Sequence, residues 1–140
     1  MNVALTLSTA NLKKTKAREA VLEYIFHEKT PVSIQDIEDT PIIKNLKIDQ
    51  ATLYRIIHIL LDNHIIRQVD LHEGKFRYEL AALPHHHHIV CTKCGTVKDI
   101  SDCLDPKTKQ SIEKETGFSV ITHALEFFGL CSSCKNSLSV

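Results

Sequence analysis

The sequence predicts an α+β protein made of two small domains, and three observations support this. Apolar residues recur at helical spacing over most of residues 12–61. Two short apolar segments then flank a glycine-containing turn at residues 71–74, as in a β hairpin. Two C-x-x-C pairs follow in the C-terminal part. A chain of 140 residues divided in two gives each domain only a modest core, which a structural metal would stabilise.

The N-terminal part begins with three predicted helices. Residues 1–10 lack charge and periodicity, so we expect a loose arm before a first helix at about residues 12–28. Ser33 and Asp36 have the spacing of a capping box, which predicts a short second helix. Pro41 suits a first helical turn and begins another short helix.

A basic cluster lies at the start of the first helix and consists of Lys13, Lys14, Lys16 and Arg18. Basic groups oppose the helix dipole at this end, so a phosphate contact would explain them, although a solvated charged end explains them equally well. The whole chain has 17 basic and 17 acidic side chains. Composition therefore says nothing for nucleic acid, and DNA binding would require the basic groups to be gathered on one face.

The next predicted helix has an apolar stripe and polar side chains near its start. Asp49 is its expected N-cap. Thr52, Tyr54 and Arg55 lie off the apolar stripe, where a DNA-recognition helix presents groups to base edges and phosphates. An ordinary amphipathic helix has the same pattern.

The hairpin that follows completes the prediction for this half. Its strands are expected at residues 65–69 and 75–80, with Gly74 in the turn. Helices followed by such a hairpin favour a winged helix-turn-helix domain over residues 1–80, with Lys75 and Arg77 on or near the wing.

The C-terminal part predicts a small α/β domain at residues 85–140, after a hinge at residues 81–84. Two strands, a helix that ends at Gly117, and a third strand at residues 119–128 separate the two cysteine pairs. Four thiolates in two C-x-x-C pairs can close a tetrahedral zinc site. The four sulfurs belong to Cys91, Cys94, Cys131 and Cys134.

Four consecutive histidines, residues 85–88, precede the first cysteine pair. Alternate residues of a strand point to opposite faces, so His85 and His87 would face one way, and His86 and His88 the other. One strand could then supply two imidazoles to each of two metal sites. A solvated loop or a purification tag would also account for the histidine run, but a tag is normally longer and lies at a terminus.

Several protein classes are disfavoured by the sequence. No apolar run reaches the roughly 18 residues of a membrane span, and no secretory leader is evident, so we expect a cytoplasmic protein. In that reducing compartment the paired cysteines are metal ligands rather than disulfides, and Cys103 is a free thiol or a spare ligand. A zinc-dependent hydrolase and a redox protein remain alternatives, but the chain has neither an H-E-x-x-H motif nor a thioredoxin-like context.

Taken in order, these segments resemble the ferric uptake regulator (Fur) family of metal-sensing bacterial repressors. The matching segments are residues 13–18, 51–55, 74–79, 86–95 and 123–134, which span most of the chain. The unbroken histidine run is most similar to the zinc uptake regulator (Zur) branch. An iron-dependent peroxide sensor is the alternative within the family.

The resemblance implies a homodimer whose winged helices bind palindromic operators on double-stranded DNA, with no membrane and no small organic substrate. It implies structural zinc at the four cysteines, and a regulatory Zn²⁺ or Fe²⁺, with Mn²⁺ or Ni²⁺ as further options. Zinc is slightly favoured over iron.

The resemblance also assigns residues to each role. The implied DNA contacts are Lys14, Thr15, Arg18, Thr52, Tyr54, Arg55 and Arg77. The implied regulatory ligands are Glu79, His86, His88 and Asp99 near the hinge, and His85, His87, Asp105 and His123 at a second site. The chain departs from the family pattern at Pro31-Val32, where a further hinge ligand is common, and at Pro106, which stands where the second site has a carboxylate.

Overall fold

A computed structural model describes residues 2–101 and 104–137. The chain divides into two compact units, Met1–Leu83 and Pro84–Val140. With its helices and two small sheets the protein is α+β, as the sequence predicted. Among the described residues, no helix combines the length and the apolarity that crossing a membrane requires.

The N-terminal unit contains five helices and a three-stranded antiparallel sheet of order β1-β3-β2 within its described residues. The strands β2 and β3 form the hairpin that the sequence predicted. In chain order the elements are α1 Val3–Thr9, α2 Lys16–His27, β1 Val32–Ser33, α3 Ile34–Glu38, α4 Pro41–Asn45, α5 Gln50–Asp62, β2 Ile66–Asp70 and β3 Phe76–Leu80.

Local hydrogen bonds explain where these helices begin. The predicted capping box is present, because Ser33 Oγ accepts from the Asp36 N–H while the Asp36 carboxylate accepts from the Ser33 N–H. Asp49 caps α5, since its Oδ1 accepts from the Thr52 N–H at 2.6 Å. Pro41 opens α4 as expected.

Two expectations for the N-terminus were wrong. The residues expected to form a loose arm include α1, which Asn2 caps and which buries Val3 and Leu7 in the core. A helix of seven residues is too short for its periodicity to stand out in the sequence. The next helix starts at Lys16 rather than near residue 12, because Thr15 is its N-cap.

One hydrophobic core lies in the N-terminal unit. It is formed by α1, α2, α3, α4, α5 and the sheet. Its fully buried members include Val21, Leu22, Ile37, Leu53, Ile57 and Leu60. The apolar stripe predicted for α5 faces this core.

A second feature of this unit is a cluster of charges around Arg77 on β3. The Arg77 Nε donates to Glu73 Oε2 at 2.7 Å and its Nη2 donates to Glu73 Oε1 at 3.2 Å. Its Nη1 donates to the Pro31 carbonyl at 3.2 Å and lies 3.5 Å from Asp36 Oδ2. The hydrogen bonds from Arg77 hold the pKa of the Glu73 carboxyl below its usual value.

The C-terminal unit has a three-stranded mixed sheet of order β5-β4-β6. The strand β4 pairs antiparallel with β5 and parallel with β6. The predicted helix is present and ends at Gly117, whose φ of 74° is left-handed and suits glycine. The elements are β4 His87–Cys91, β5 Val97–Ile100, α6 Pro106–Thr116, β6 Glu126–Gly129 and α7 Ser132–Asn136.

The strand predicted at residues 119–128 was mostly wrong. Only its end is a strand, β6, and residues 118–125 have no regular structure. The Val120 N–H donates to the Glu113 carboxylate at 2.8 Å instead of to a neighbouring strand. Phe118 and Ile121 are 76% and 96% exposed, so these large apolar side chains are not buried within the unit.

The core of the C-terminal unit is small. Its buried apolar side chains among the described residues are Val90, Cys91 and Val97. No described side chain of α6 is buried. Packing within this unit therefore contributes little, and a cross-link of another kind is needed to hold it together.

We predict that Leu53→Ala lowers the free energy of unfolding by about 3 kcal/mol, because Leu53 is fully buried and its removal leaves a cavity. Leu61→Ala on the same helix is the matched control, since Leu61 is only partly buried. It should cost less than half as much. Urea unfolding followed by circular dichroism measures both, and equal losses would contradict the assigned core.

A second prediction concerns acid stability. Since the folded-state pKa of Glu73 is lowered, its pairing with Arg77 stabilises the fold fully above the unfolded pKa of about 4.3 and is lost as the pH falls through the folded value. Wild type should therefore lose stability more steeply than Glu73→Gln below about pH 4.5. Urea unfolding between about pH 3 and 7 tests this, and identical pH profiles would count against the pair.

Candidate metal centres

Four cysteines converge in the C-terminal unit. Their sulfurs all lie within 4.8 Å of one another, and the Cys94 and Cys131 Sγ atoms are 3.6 Å apart. Sulfurs bound to one zinc ion at about 2.3 Å lie about 3.8 Å apart. The donor types and their spacing therefore fit a tetrahedral zinc site.

The sheet brings the two cysteine pairs together. Cys91 ends β4, and in the parallel pairing of β4 with β6 it stands opposite Gly129. The Thr92 N–H donates to the Gly129 carbonyl at 2.8 Å, which fixes the start of the first C-x-x-C loop beside the end of β6. Cys131, which precedes α7, follows two residues later.

Hydrogen bonds prepare the cysteines for a cation. The backbone N–H of Cys131 donates to Cys91 Sγ at 3.3 Å, and with the N–H of Cys94 it lowers the pKa of Cys91 to about 6. The neighbouring Cys131 sulfur, together with burial, raises the pKa of Cys134 to about 12. Four sulfurs this close cannot all be thiolates without a cation among them, which is the situation that zinc resolves.

A second cluster consists of three histidines in the same unit. The Nε2 atoms of His85, His87 and His123 are 3.1 Å apart in each of the three pairs. Nitrogens bound to one ion at about 2.0–2.1 Å lie about 3.0–3.4 Å apart, depending on the coordination geometry. The triangle of imidazole nitrogens thus has the size of one face of a metal-coordination sphere.

The protonation of this cluster favours metal binding. His87 is 4% exposed, and burial, together with the neighbouring His85 and His123, lowers the pKa of its imidazole. A lowered pKa keeps the ring neutral at physiological pH, and neutral imidazole is the form that coordinates metals.

Asp105 is not part of the histidine cluster. The family resemblance implied it as a ligand of the second site, but its Oδ1 accepts from the Lys107 N–H at 3.2 Å as the N-cap of α6. The group of potential ligands found among the described residues contains the three histidines alone. Asp105 therefore caps α6 in this structure, and its role as a metal ligand stays a prediction. Cys103, the other open assignment of this region, lies outside the described residues.

The other two histidines lie on the opposite side of the run, as the strand alternation predicted. The rings of His86 and His88 have centroids 4.8 Å apart. His88 Nε2 is 3.7 Å from Asp99 Oδ1, and the two residues face each other in the pairing of β4 with β5. These three candidate ligands are thus neighbours within the C-terminal unit.

Glu79, the remaining candidate ligand, belongs to the N-terminal unit. It is 4% exposed, and its Oε1 accepts from Arg67 Nε at 2.6 Å. Arg67 and Glu79 stand opposite each other in the β2–β3 hairpin. No sequence pattern pointed to this arginine, although the hairpin register, once known, places it beside the carboxylate.

The candidate DNA contacts also lie in the N-terminal unit. Arg77 is on β3, and the others are on α2 and α5 and in the segment before α2. Lys14, Tyr54 and Arg55 are exposed. Arg55 Nη2 donates to Thr52 Oγ1 at 3.1 Å. Arg18 Nη1 donates to the Lys13 carbonyl at 2.7 Å.

Arg77 differs from the other candidates. Its side chain is 11% exposed, and its guanidinium is hydrogen-bonded to Glu73 and to the Pro31 carbonyl. Three of its five N–H donors are therefore used within the fold, which leaves few for a phosphate. A DNA contact by Arg77 stays a prediction of the family resemblance.

With a helical unit that ends in a β hairpin, and a second unit with clusters of thiols and imidazoles, the molecule has the features of a metal-dependent regulatory protein. Comparison with known proteins agrees with this class. The model of the ferric uptake regulator family matches residues 9–128. The chain belongs to this family.

Similar proteins cover almost the whole chain. The ferric uptake regulation protein of Bordetella parapertussis is 32% identical over 131 residues, which are 92% of this chain and 94% of that protein. The Vibrio cholerae ferric uptake regulator has a solved structure that is 27% identical, with a TM-score of 0.78 over 93% of this chain and 100% of its own.

A further similar structure concerns metal binding directly. The Helicobacter pylori ferric uptake regulator is 26% identical, with a TM-score of 0.76 over 94% of this chain and 88% of its own, and is described as having three functional metal binding sites. Members of the family are transcription regulators rather than enzymes. The chain is accordingly a metal-responsive transcriptional regulator.

Proposed function

We propose that this regulator represses metal-uptake genes with metal as the corepressor, and that zinc is slightly favoured over iron as that metal. The observation that carries the proposal is the triangle of imidazole nitrogens, each 3.1 Å from the other two, in a unit that also contains the four-cysteine cluster. In this proposal the four cysteines bind a structural metal that stabilises the unit, and the three histidines bind the metal that is sensed.

In this proposal the cysteine cluster holds structural zinc. The small core of the C-terminal unit supports this role, because a unit with so few buried apolar side chains gains stability from a metal cross-link. The four ligands are Cys91, Cys94, Cys131 and Cys134.

Two sets of regulatory ligands are proposed. The second site uses His85, His87 and His123, which lie together in the C-terminal unit. The hinge site, by the family resemblance, combines Glu79 with His86, His88 and Asp99. The proximity of His86, His88 and Asp99 within one unit supports their joint use.

The choice of metal follows from the donor atoms. Three imidazoles without a carboxylate in the described cluster suit zinc. A set of imidazoles with carboxylates also suits Fe²⁺, Mn²⁺ or Ni²⁺. The similarity to ferric uptake regulators favours iron as the corepressor. The preference for zinc therefore rests on the three clustered imidazoles alone.

Operator binding is assigned to the N-terminal unit. The side chains proposed to contact DNA lie on α5 and near the start of α2, and they have polar groups that can reach phosphates and bases. They are Lys14, Thr15, Arg18, Thr52, Tyr54 and Arg55. Since operators lie in the cytoplasm of a bacterium, the protein acts there.

We further propose that the regulator is a homodimer on a palindromic operator. The C-terminal unit exposes Phe118, Ile121, Phe127, Phe128 and Leu130. Large exposed apolar groups of this kind mark an interface, and two identical units can bury them against each other. A two-fold dimer would place its two recognition helices on matching half-sites.

The proposed switch works through the hinge ligands. By ligating one ion, Glu79 would be tied to His86 and His88, and this would restrict the angle between the two units. In a dimer that angle sets the spacing of the recognition helices. The ion acts only by coordinating these side chains. To convert a mostly inactive population into a mostly active one, it must bind the active state more tightly by about 5.5 kcal/mol.

The corepressor role predicts a metal-dependent affinity for DNA. Protein loaded with Zn²⁺ at all sites should bind its operator about 10–100-fold more tightly than protein that keeps only the cysteine-bound zinc. Fluorescence anisotropy with a labelled duplex, selected from a random pool by the loaded protein, measures the ratio. Equal affinities of the two forms would remove metal from the mechanism.

A further prediction separates the two clusters. Cys134→Ser should lose tightly held zinc and lower the thermal midpoint, because the thiolate set is broken. His123→Ala should keep that zinc and its thermal midpoint but bind one metal equivalent fewer, and His27→Ala, which changes an exposed histidine of α2, should change neither. Metal analysis after dialysis, with a thiol count, distinguishes these results. Loss of cysteine-bound zinc from His123→Ala would show that the clusters are not independent.

A further inference from the structure

We infer that Arg77 is a positioning residue for operator binding. It connects the wing to α3, which packs against the proposed recognition helix α5, and does not itself contact DNA. The wing is defined here as residues 71–75, the turn between β2 and β3. This inference rests on the proposed function, because it assumes that the N-terminal unit binds DNA with its wing as well as with α5.

The first half of the fastening is within the hairpin. Glu73 lies in the wing and Arg77 lies four residues later on β3. Both carboxylate oxygens of Glu73 accept hydrogen bonds from the guanidinium, at 2.7 and 3.2 Å, and the two side chains are 18% and 11% exposed. A two-bonded, largely buried pair of this kind holds the turn in one conformation.

The second half joins the hairpin to the start of α3. Arg77 Nη1 donates to the Pro31 carbonyl at 3.2 Å, and Arg77 stands opposite Ser33 in the pairing of β1 with β3. The same nitrogen lies 3.5 Å from Asp36 Oδ2, the oxygen that also accepts from the backbone N–H and the hydroxyl of Ser33. One guanidinium thus connects the wing to the capping box of α3.

The path continues to the recognition helix. The short helix α3 packs against α5, which carries the proposed contacts Thr52, Tyr54 and Arg55. A wing fastened to α3 therefore keeps a constant position relative to these side chains. DNA binding by two surface elements is strongest when both are already placed, since no ordering is then required on binding.

A phosphate contact and a positioning role make different predictions for Arg77. If Arg77 met a phosphate, Arg77→Met would weaken binding and reduce the salt slope of the binding constant by about 1. If Arg77 positions the wing, Arg77→Met weakens binding and leaves the salt slope unchanged. Arg77→Lys should then behave like Arg77→Met, because lysine keeps the charge but cannot bond both oxygens of Glu73.

The matched variant is Glu73→Gln, which removes a negative charge from the wing. A phosphate contact or a general charge effect predicts tighter DNA binding for this variant, because an acidic group is lost and the arginine is freed. The positioning role predicts weaker binding. Thus variants of opposite charge change, Arg77→Met and Glu73→Gln, should both weaken binding, by about 3–10-fold.

The experiment uses the full-length, zinc-loaded protein and the duplex that wild type selects from a random pool, with affinities measured across a range of salt concentrations. Circular dichroism and thermal midpoints establish that each variant is folded, and Glu73→Gln alone decides the question if Arg77→Met does not fold. A reduced salt slope for Arg77→Met, or tighter binding by Glu73→Gln, overturns the inference.

The same experiment distinguishes failure of the proposed function from failure of the inference about Arg77. If wild type selects no duplex, the proposed function fails, and the positioning role fails with it. If wild type binds and both variants bind as wild type does, the proposed function stands and only the inference is overturned.

Discussion

The C-terminal unit buries too little apolar surface to be stable by packing alone, and the arrangement of its cysteines depends on this constraint. Val90, Cys91 and Val97 are its buried apolar side chains among the described residues, and α6 buries none. Its sulfurs instead converge within 4.8 Å of one another. A thiolate-bound ion would replace the missing core, and the same strand β4 that ends in Cys91 begins with the histidines. In the proposed function, the structural metal site and the regulatory site therefore share one strand.

The N-terminal unit is organised differently, because its core is extensive and needs no metal. Five helices and a sheet surround fully buried residues such as Leu53 and Ile57. Because packing stabilises this core, the charged groups around it can form specific ion pairs. Arg77 pairs with Glu73 in the wing, and Arg67 holds the carboxylate of Glu79, the proposed hinge ligand. The formal net charge of +0 does not show which basic groups are paired within the fold and which are exposed.

Much of the fold could be predicted because its signals are local. The capping box of Ser33 and Asp36, the N-cap Asp49 and the C-terminal Gly117 each depend on residues within one helical turn. The cysteine pairs were recognisable for the same reason, since each short loop presents both sulfurs to one ion. Prediction failed for α1, which is too short to show a period, and for residues 119–125, because a strand depends on pairing and the described chain shows no partner strand for them.

The sequence by itself determined which atoms can bind metal, where α3, α4 and α5 begin, and which histidines share a face. Only the tertiary structure decided which of these groups meet. The parallel pairing of β4 with β6 brings Cys131 to Cys91, and the loop before β6 brings His123 to His85 and His87. The tertiary structure also placed the carboxylate of Asp105 in a helix cap and the guanidinium of Arg77 in an ion pair, which the sequence alone did not indicate. The physical reason is that long-range pairing depends on how the whole chain buries its surface, which no short segment records.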